Sequence, residues 1–128
     1  MDAFDHDRLD VYRLAIDFNG VTASITGQLP PGNGWLKDQL ARAALSIPTN
    51  TAEGAGEFSR RDKARFYRIA LRSATECAAI LDVCRRIRVG DEADVRRGRE
   101  LLLRVVSMLT KLALAHQGPV RTPARSGT

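Results

Sequence analysis

The chain has 128 residues, of which 44% are hydrophobic and 27% charged, proportions typical of a globular protein with one core. No segment approaches the ~20 consecutive apolar residues needed to cross a bilayer. The acidic first ten residues also lack the basic and apolar regions of a secretory signal. We therefore expect a cytoplasmic protein with no membrane segment.

The net charge of +5 is unevenly distributed along the chain. Residues 1–33 carry five acidic and two basic side chains, whereas residues 57–88 carry nine basic and four acidic ones. A concentrated basic segment favours a polyanionic partner such as a nucleic acid.

Apolar residues recur every three or four positions in four successive segments, which is the pattern of amphipathic α-helices. The rows are Val11, Leu14, Phe18, Val21 and Ile25; Leu36, Leu40, Ala43 and Ile47; Phe66, Ala70, Ser73, Cys77, Ile80, Cys84 and Ile87; and Leu102, Val105, Leu109 and Leu112. Short connections make neighbouring helices antiparallel, so we predict an all-α, up-down-up-down four-helix bundle over residues 1–117. Residues 118–128 are predicted to form a disordered tail.

The fourth helix carries a second apolar row beside the first. We predict that this row forms an interface between subunits, because the combined stripe is wider than one bundle core requires. The alternative is a fourth helix buried deeply within a monomer. The predicted interface residues are Leu101, Val105, Met108 and Leu112.

The segment SIPTNTAEGAG, residues 46–56, interrupts the second helical pattern. Pro48 has no N–H and its ring crowds the carbonyl of Ala44, which favours a kink near Pro48 or an early helix end. Gly54 and Gly56 permit positive φ and are expected to stop the helix. Nearby hydroxyl and amide groups could satisfy the freed backbone. They are Ser46, Thr49, Asn50 and Thr51.

Three stretches carry a resemblance to a known family. DQLARAALSIPTNTAEGAG (residues 38–56), SRRDKARFYRIALRSATECAAIL (59–81) and LDVYRLA (9–15) resemble the four-helix 23S rRNA-intervening-sequence proteins. That family includes relatives of the accessory proteins of diversity-generating retroelements. The resemblance extends from roughly Phe4 to His116.

The resemblance implies a homo-oligomer, typically a pentameric barrel, with no established enzymatic activity. It also implies RNA, DNA or a reverse transcriptase as candidate partners, because some relatives are basic and bind such molecules. The residues themselves show no phosphate-binding glycine loop and no nucleophile motif, so we expect neither a cofactor nor catalysis.

Glu53 and Glu76 lie on predicted helices near apolar neighbours, and a buried carboxylate needs a partner. We predict that they are structural and hydrogen-bond to backbone freed around Pro48, with Arg42 as a partner only across a helix interface. The alternative is a carboxylate-bridged metal site. Such sites use a Glu-x-x-His motif, and this sequence contains none, so we expect no metal.

Four arginines, Arg61, Arg65, Arg68 and Arg72, recur along one side of the third helix, roughly 110° from its apolar row. Arg60 and Lys63 crowd the same end of that helix. One interpretation is a surface that binds the phosphates of RNA or DNA, for which the guanidinium group is suited. The other is a solvated helix face of a structural or protein-interaction module. The sequence is compatible with both interpretations.

Overall fold

The structure is a computed structural model that describes residues 3–117, and about 85% of these residues are helical. A short 3-10 helix, Asp5–Arg8, precedes α1 (Asp10–Gln28), α2 (Gly34–Gly56), α3 (Arg60–Ile87) and α4 (Glu92–Ala115). No strand occurs in this part of the chain, so the predicted all-α class is confirmed. None of these helices combines the length and apolar content needed to cross a membrane. The predicted disordered tail lies outside the described residues.

The four helices contact one another in cyclic order, α1 with α2, α2 with α3, α3 with α4 and α4 with α1. The side-chain contacts join opposite ends of consecutive helices. Asp82, late in α3, pairs with Arg99, early in α4, at 2.6 Å. Arg60, at the start of α3, donates a hydrogen bond to the carbonyl of Ala115, at the end of α4. α3 and α4 are therefore antiparallel, as neighbouring helices are in a four-helix bundle.

The core lies between the four helices and is built mainly from the predicted rows. It includes two buried, free thiols on α3, Cys77 and Cys84. Burial raises the pKa of Cys77 to about 12, helped by the neighbouring Glu76 carboxylate, and burial also raises the pKa of Cys84. The thiols thus stay neutral and pack as small apolar groups. The largest fully buried side chains are Phe18, Ile25, Leu36, Leu40, Ile47, Leu81, Leu102 and Leu109.

α3 is rotated relative to the prediction. Its buried face consists of Ala64, Tyr67, Ala70, Ala74, Cys77, Leu81 and Cys84. Ser73 and Ile80 are only half-buried, and Ile87 is exposed. Ala70, Cys77 and Cys84 of the predicted row are buried as expected, whereas its bulkier members Phe66, Ile80 and Ile87 lie along the edge of the core.

α2 continues through Pro48 to Gly56, so the helix does not end at the proline. Three of the four predicted groups, the side chains of Thr49, Asn50 and Thr51, donate to carbonyls four residues earlier on α2. The fourth, the Ser46 hydroxyl, instead accepts from the Asn50 amide at 2.9 Å. The carbonyl that Pro48 leaves without an N–H, that of Ala44, instead accepts from the Asn19 side chain of α1 at 2.9 Å. A residue on another helix therefore satisfies the freed backbone, which the sequence analysis missed.

Gly54 has a role different from the predicted one. Neither Gly54 nor Gly56 has positive φ. Gly54 is buried inside α2, where an added Cβ would lie 2.7 Å from Cε1 of Tyr67. Glycine is needed at position 54 because the Tyr67 ring of α3 packs directly on the α2 backbone.

Candidate nucleic-acid interface

Arg61, Arg65, Arg68 and Arg72 form a row on the outer face of α3, and we call these four residues the arginine row. All four side chains are exposed. The row lies roughly 160° around the helix from the buried face and extends about 16 Å along the axis. The predicted angle of 110° was measured from the predicted apolar row, which is not the centre of the buried face. The arginines therefore point more directly away from the core than expected.

Within residues 3–117, no carboxylate forms an ion pair with the arginine row. Among residues 3–117, these guanidinium groups form no hydrogen bond, and the one cation–π contact is that of Arg65, which lies 4.6 Å from the ring centroid of Phe66. This cation–π contact leaves the charge in place and restrains the side chain. The row therefore presents four positive charges to solvent.

Arg60 and Lys63, predicted to belong to the same surface, serve the ends of helices instead. Lys63 Nζ donates to the carbonyl oxygens of Ala55 at 2.8 Å and Gly54 at 3.3 Å, at the C-terminus of α2. Arg60 donates to the carbonyl of Ala115 at the C-terminus of α4. Both cations neutralise the negative end of a helix dipole. Because each of these cations is engaged at a helix terminus, we exclude both from the arginine row.

The predicted subunit-interface residues lie deeper than expected. Leu101 is 6% exposed and Val105 is fully buried, both within this chain's own core. Met108 and Leu112 are half-buried against that core. The apolar side chains that α4 does expose are Leu103 and Leu114. Most of the combined apolar stripe of α4 is thus buried within one chain, and the subunit interface stays a prediction.

Phe58, in the turn between α2 and α3, is not among the residues predicted from the sequence. Its side chain is fully exposed, more than any other large hydrophobic residue of the described chain. Its position in a turn at the start of the basic segment could have indicated a role, but Phe58 belongs to no helical row.

Glu53 and Glu76 do not have the predicted backbone role. Both side chains are exposed, and neither accepts a hydrogen bond from residues 3–117. Glu53 lines a surface pocket of about 300 Å³ with Asp5, His6 and Glu57. Among the described residues, no three His, Cys, Asp or Glu side chains are placed to bind a metal ion. Glu53 instead contributes to an acidic surface at the α2 side of the turn.

Comparisons with known proteins agree on the fold. A crystal structure of a protein of unknown function from the S23 ribosomal protein family of Bacteroides thetaiotaomicron matches with a TM-score of 0.73. The two sequences are 19% identical, and the match covers 80% of this chain and 97% of that one. Comparison with curated proteins finds no match. The profile of the 23S rRNA-intervening sequence protein family matches residues 7–111. With most of the helical region matched, the chain belongs to the 23S rRNA-intervening sequence protein family.

Proposed function

We propose that this protein is a non-enzymatic adaptor that binds the phosphate backbone of RNA or DNA through the arginine row. The observation that carries the proposal is that four exposed guanidinium groups share one helix face with no ion-paired carboxylate in residues 3–117. An arginine offers paired donors that match phosphate oxygens. Binding of this kind depends on charge and is only weakly selective for sequence.

We further propose that the protein works as a homo-oligomer, a pentamer by analogy with the resemblance noted above. A ring of copies would repeat the arginine row and raise the avidity for a long polyanion. We also propose a second partner, which is a reverse transcriptase or another protein that acts on the same nucleic acid.

The double variant Arg65→Glu/Arg68→Glu tests the proposal. Fluorescence anisotropy with a labelled RNA or DNA duplex at 50 mM salt should show binding by the wild type and a loss of more than 100-fold in the variant. The slope of log K against log salt should be about −3 to −4 for the wild type, because each neutralised phosphate contributes about −0.9.

Arg85→Glu/Arg86→Glu provides a matched control with the same change in net charge at the other end of α3. These side chains are exposed, and Arg86 lies roughly 20 Å along the axis from Arg72, beyond the screening length of about 14 Å at 50 mM salt. The control should therefore keep most of the affinity. The absence of any wild-type binding at 50 mM salt would refute the proposal.

A protein-interaction module is the second candidate, and α4 supplies the observation that favours it. Leu103 is 65% exposed and borders an apolar groove of about 190 Å³ with Val106 and Ala78. If the groove binds a protein, capture of that partner should survive nuclease and 0.5 M salt and should be lost in Leu103→Glu.

A further inference from the structure

Phe58 is held in a short and well-anchored turn. Only residues 57–59 separate α2 from α3. The Ser59 side chain caps α3 by accepting from the N–H of Asp62 at 3.0 Å, and Lys63 bonds the last carbonyls of α2. The backbone on both sides of Phe58 is therefore fixed, and the aromatic ring is presented to solvent from a rigid support.

The charges around the turn are asymmetric. Arg61 is three residues from Phe58, so their Cα atoms are at most about 11 Å apart, or roughly three stacked bases. On the α2 side lie the carboxylates of Glu53, Glu57 and Asp5. A polyanion on the arginine row can therefore extend as far as Phe58 but is repelled beyond it.

From this arrangement we propose that Phe58 stacks on an unpaired base at the end of the nucleic acid bound to the arginine row. The inference rests on the proposed function and adds to it a ligand feature, a single-stranded base next to the contacted phosphates. Every base has a π face, so an exposed phenyl ring accepts any of them. Burying the exposed ring against a base also removes its apolar surface from water.

Two RNA ligands separate stacking from phosphate binding. One is a labelled, blunt 12-base-pair duplex, and the other is the same duplex with a three-nucleotide single-stranded overhang. Both present the same duplex phosphates to the arginine row, but only the second offers an unpaired base. We expect the wild type to prefer the overhang by about 5- to 150-fold, the range for stacking one base on an aromatic residue.

Substitutions at Phe58 identify the ring as the cause. Phe58→Leu keeps an apolar side chain without a π face and should abolish the preference, whereas Phe58→Trp should retain it. Blunt-duplex affinity and its salt slope should stay within about two-fold of the wild type in both variants. Leu45→Ala, which removes another exposed apolar side chain, should bind like the wild type.

A 2-aminopurine in the overhang gives a direct signal, because stacking on the ring should lower its fluorescence in the wild-type complex and not in Phe58→Leu. An unchanged preference in Phe58→Leu would overturn the role of Phe58 while leaving arginine-dependent binding intact. If the wild type binds neither duplex, both this inference and the proposed function are overturned.

Discussion

At the scale of single residues, Asn19 compensates for a defect that Pro48 creates on another helix. Proline at position 48 leaves the carbonyl of the buried Ala44 without its usual backbone donor. The Asn19 amide supplies one at 2.9 Å and bonds Ala15 on its own helix at 2.8 Å. This arrangement lets α2 keep an internal proline and also ties α1 to α2.

Removal of this amide should therefore cost stability only while the proline is present. We expect Asn19→Ala to lower the free energy of unfolding by about 1–3 kcal/mol, the penalty for a buried carbonyl left without a partner. In a Pro48→Ala background, the restored N–H of residue 48 can donate to the carbonyl of Ala44. The loss of unfolding free energy caused by Asn19→Ala should then fall to less than half. Urea denaturation of the four proteins measures this coupling, and an equal cost in both backgrounds would contradict it.

At the scale of helices, α2 and α3 pack closely along a shared seam, where side chains of α3 lie directly against the backbone of α2. Tyr67 packs on Gly54, and further along the seam the Ser73 hydroxyl donates to Ser46 Oγ at 2.8 Å. Both contacts need small residues on α2. The seam thus sets the rotation of α3, which buries Tyr67 and turns the arginine row outward.

Gly54→Ala should consequently destabilise the protein by about 1–3 kcal/mol, because the added methyl group overlaps the Tyr67 ring. Gly56→Ala is the matched control in the same helix, since a Cβ at position 56 meets no atom within 4 Å. Its effect should be neutral or stabilising by up to ~1 kcal/mol, from the better helix propensity of alanine. Thermal unfolding followed by circular dichroism compares them, and equal effects would argue against the packing explanation.

At the scale of the whole molecule, the exposed apolar side chains are the positions at which substitutions can test for an oligomer without disturbing the core. Light scattering should report a mass several-fold above the 14.1 kDa of one chain. We expect Leu103→Asp to reduce that mass without unfolding, because Leu103 is mostly exposed. Leu101→Asp should unfold the chain instead, since Leu101 lies in its core. A monomeric wild type would remove the basis for the proposed ring.

Local periodicity was enough to predict the helical class and the core rows of α1, α2 and α4. Apolar spacing of three and four residues is a property of consecutive positions, and a buried helix face must show it whatever its neighbours are. The arginine row could be found for the same reason. Leu36, Leu40 and Ile47 were predicted to be core residues, and all three are fully buried or nearly so.

Only the tertiary structure decided which of two adjacent rows on α3 is buried and which residue donates a hydrogen bond to the carbonyl of Ala44. It also decided which basic side chains cap a helix and which face solvent. Each outcome depends on atoms brought together from different helices, about which spacing along one helix carries no information. Lys63 and Arg65 illustrate this, because they are two positions apart in sequence, yet one caps α2 and the other faces solvent.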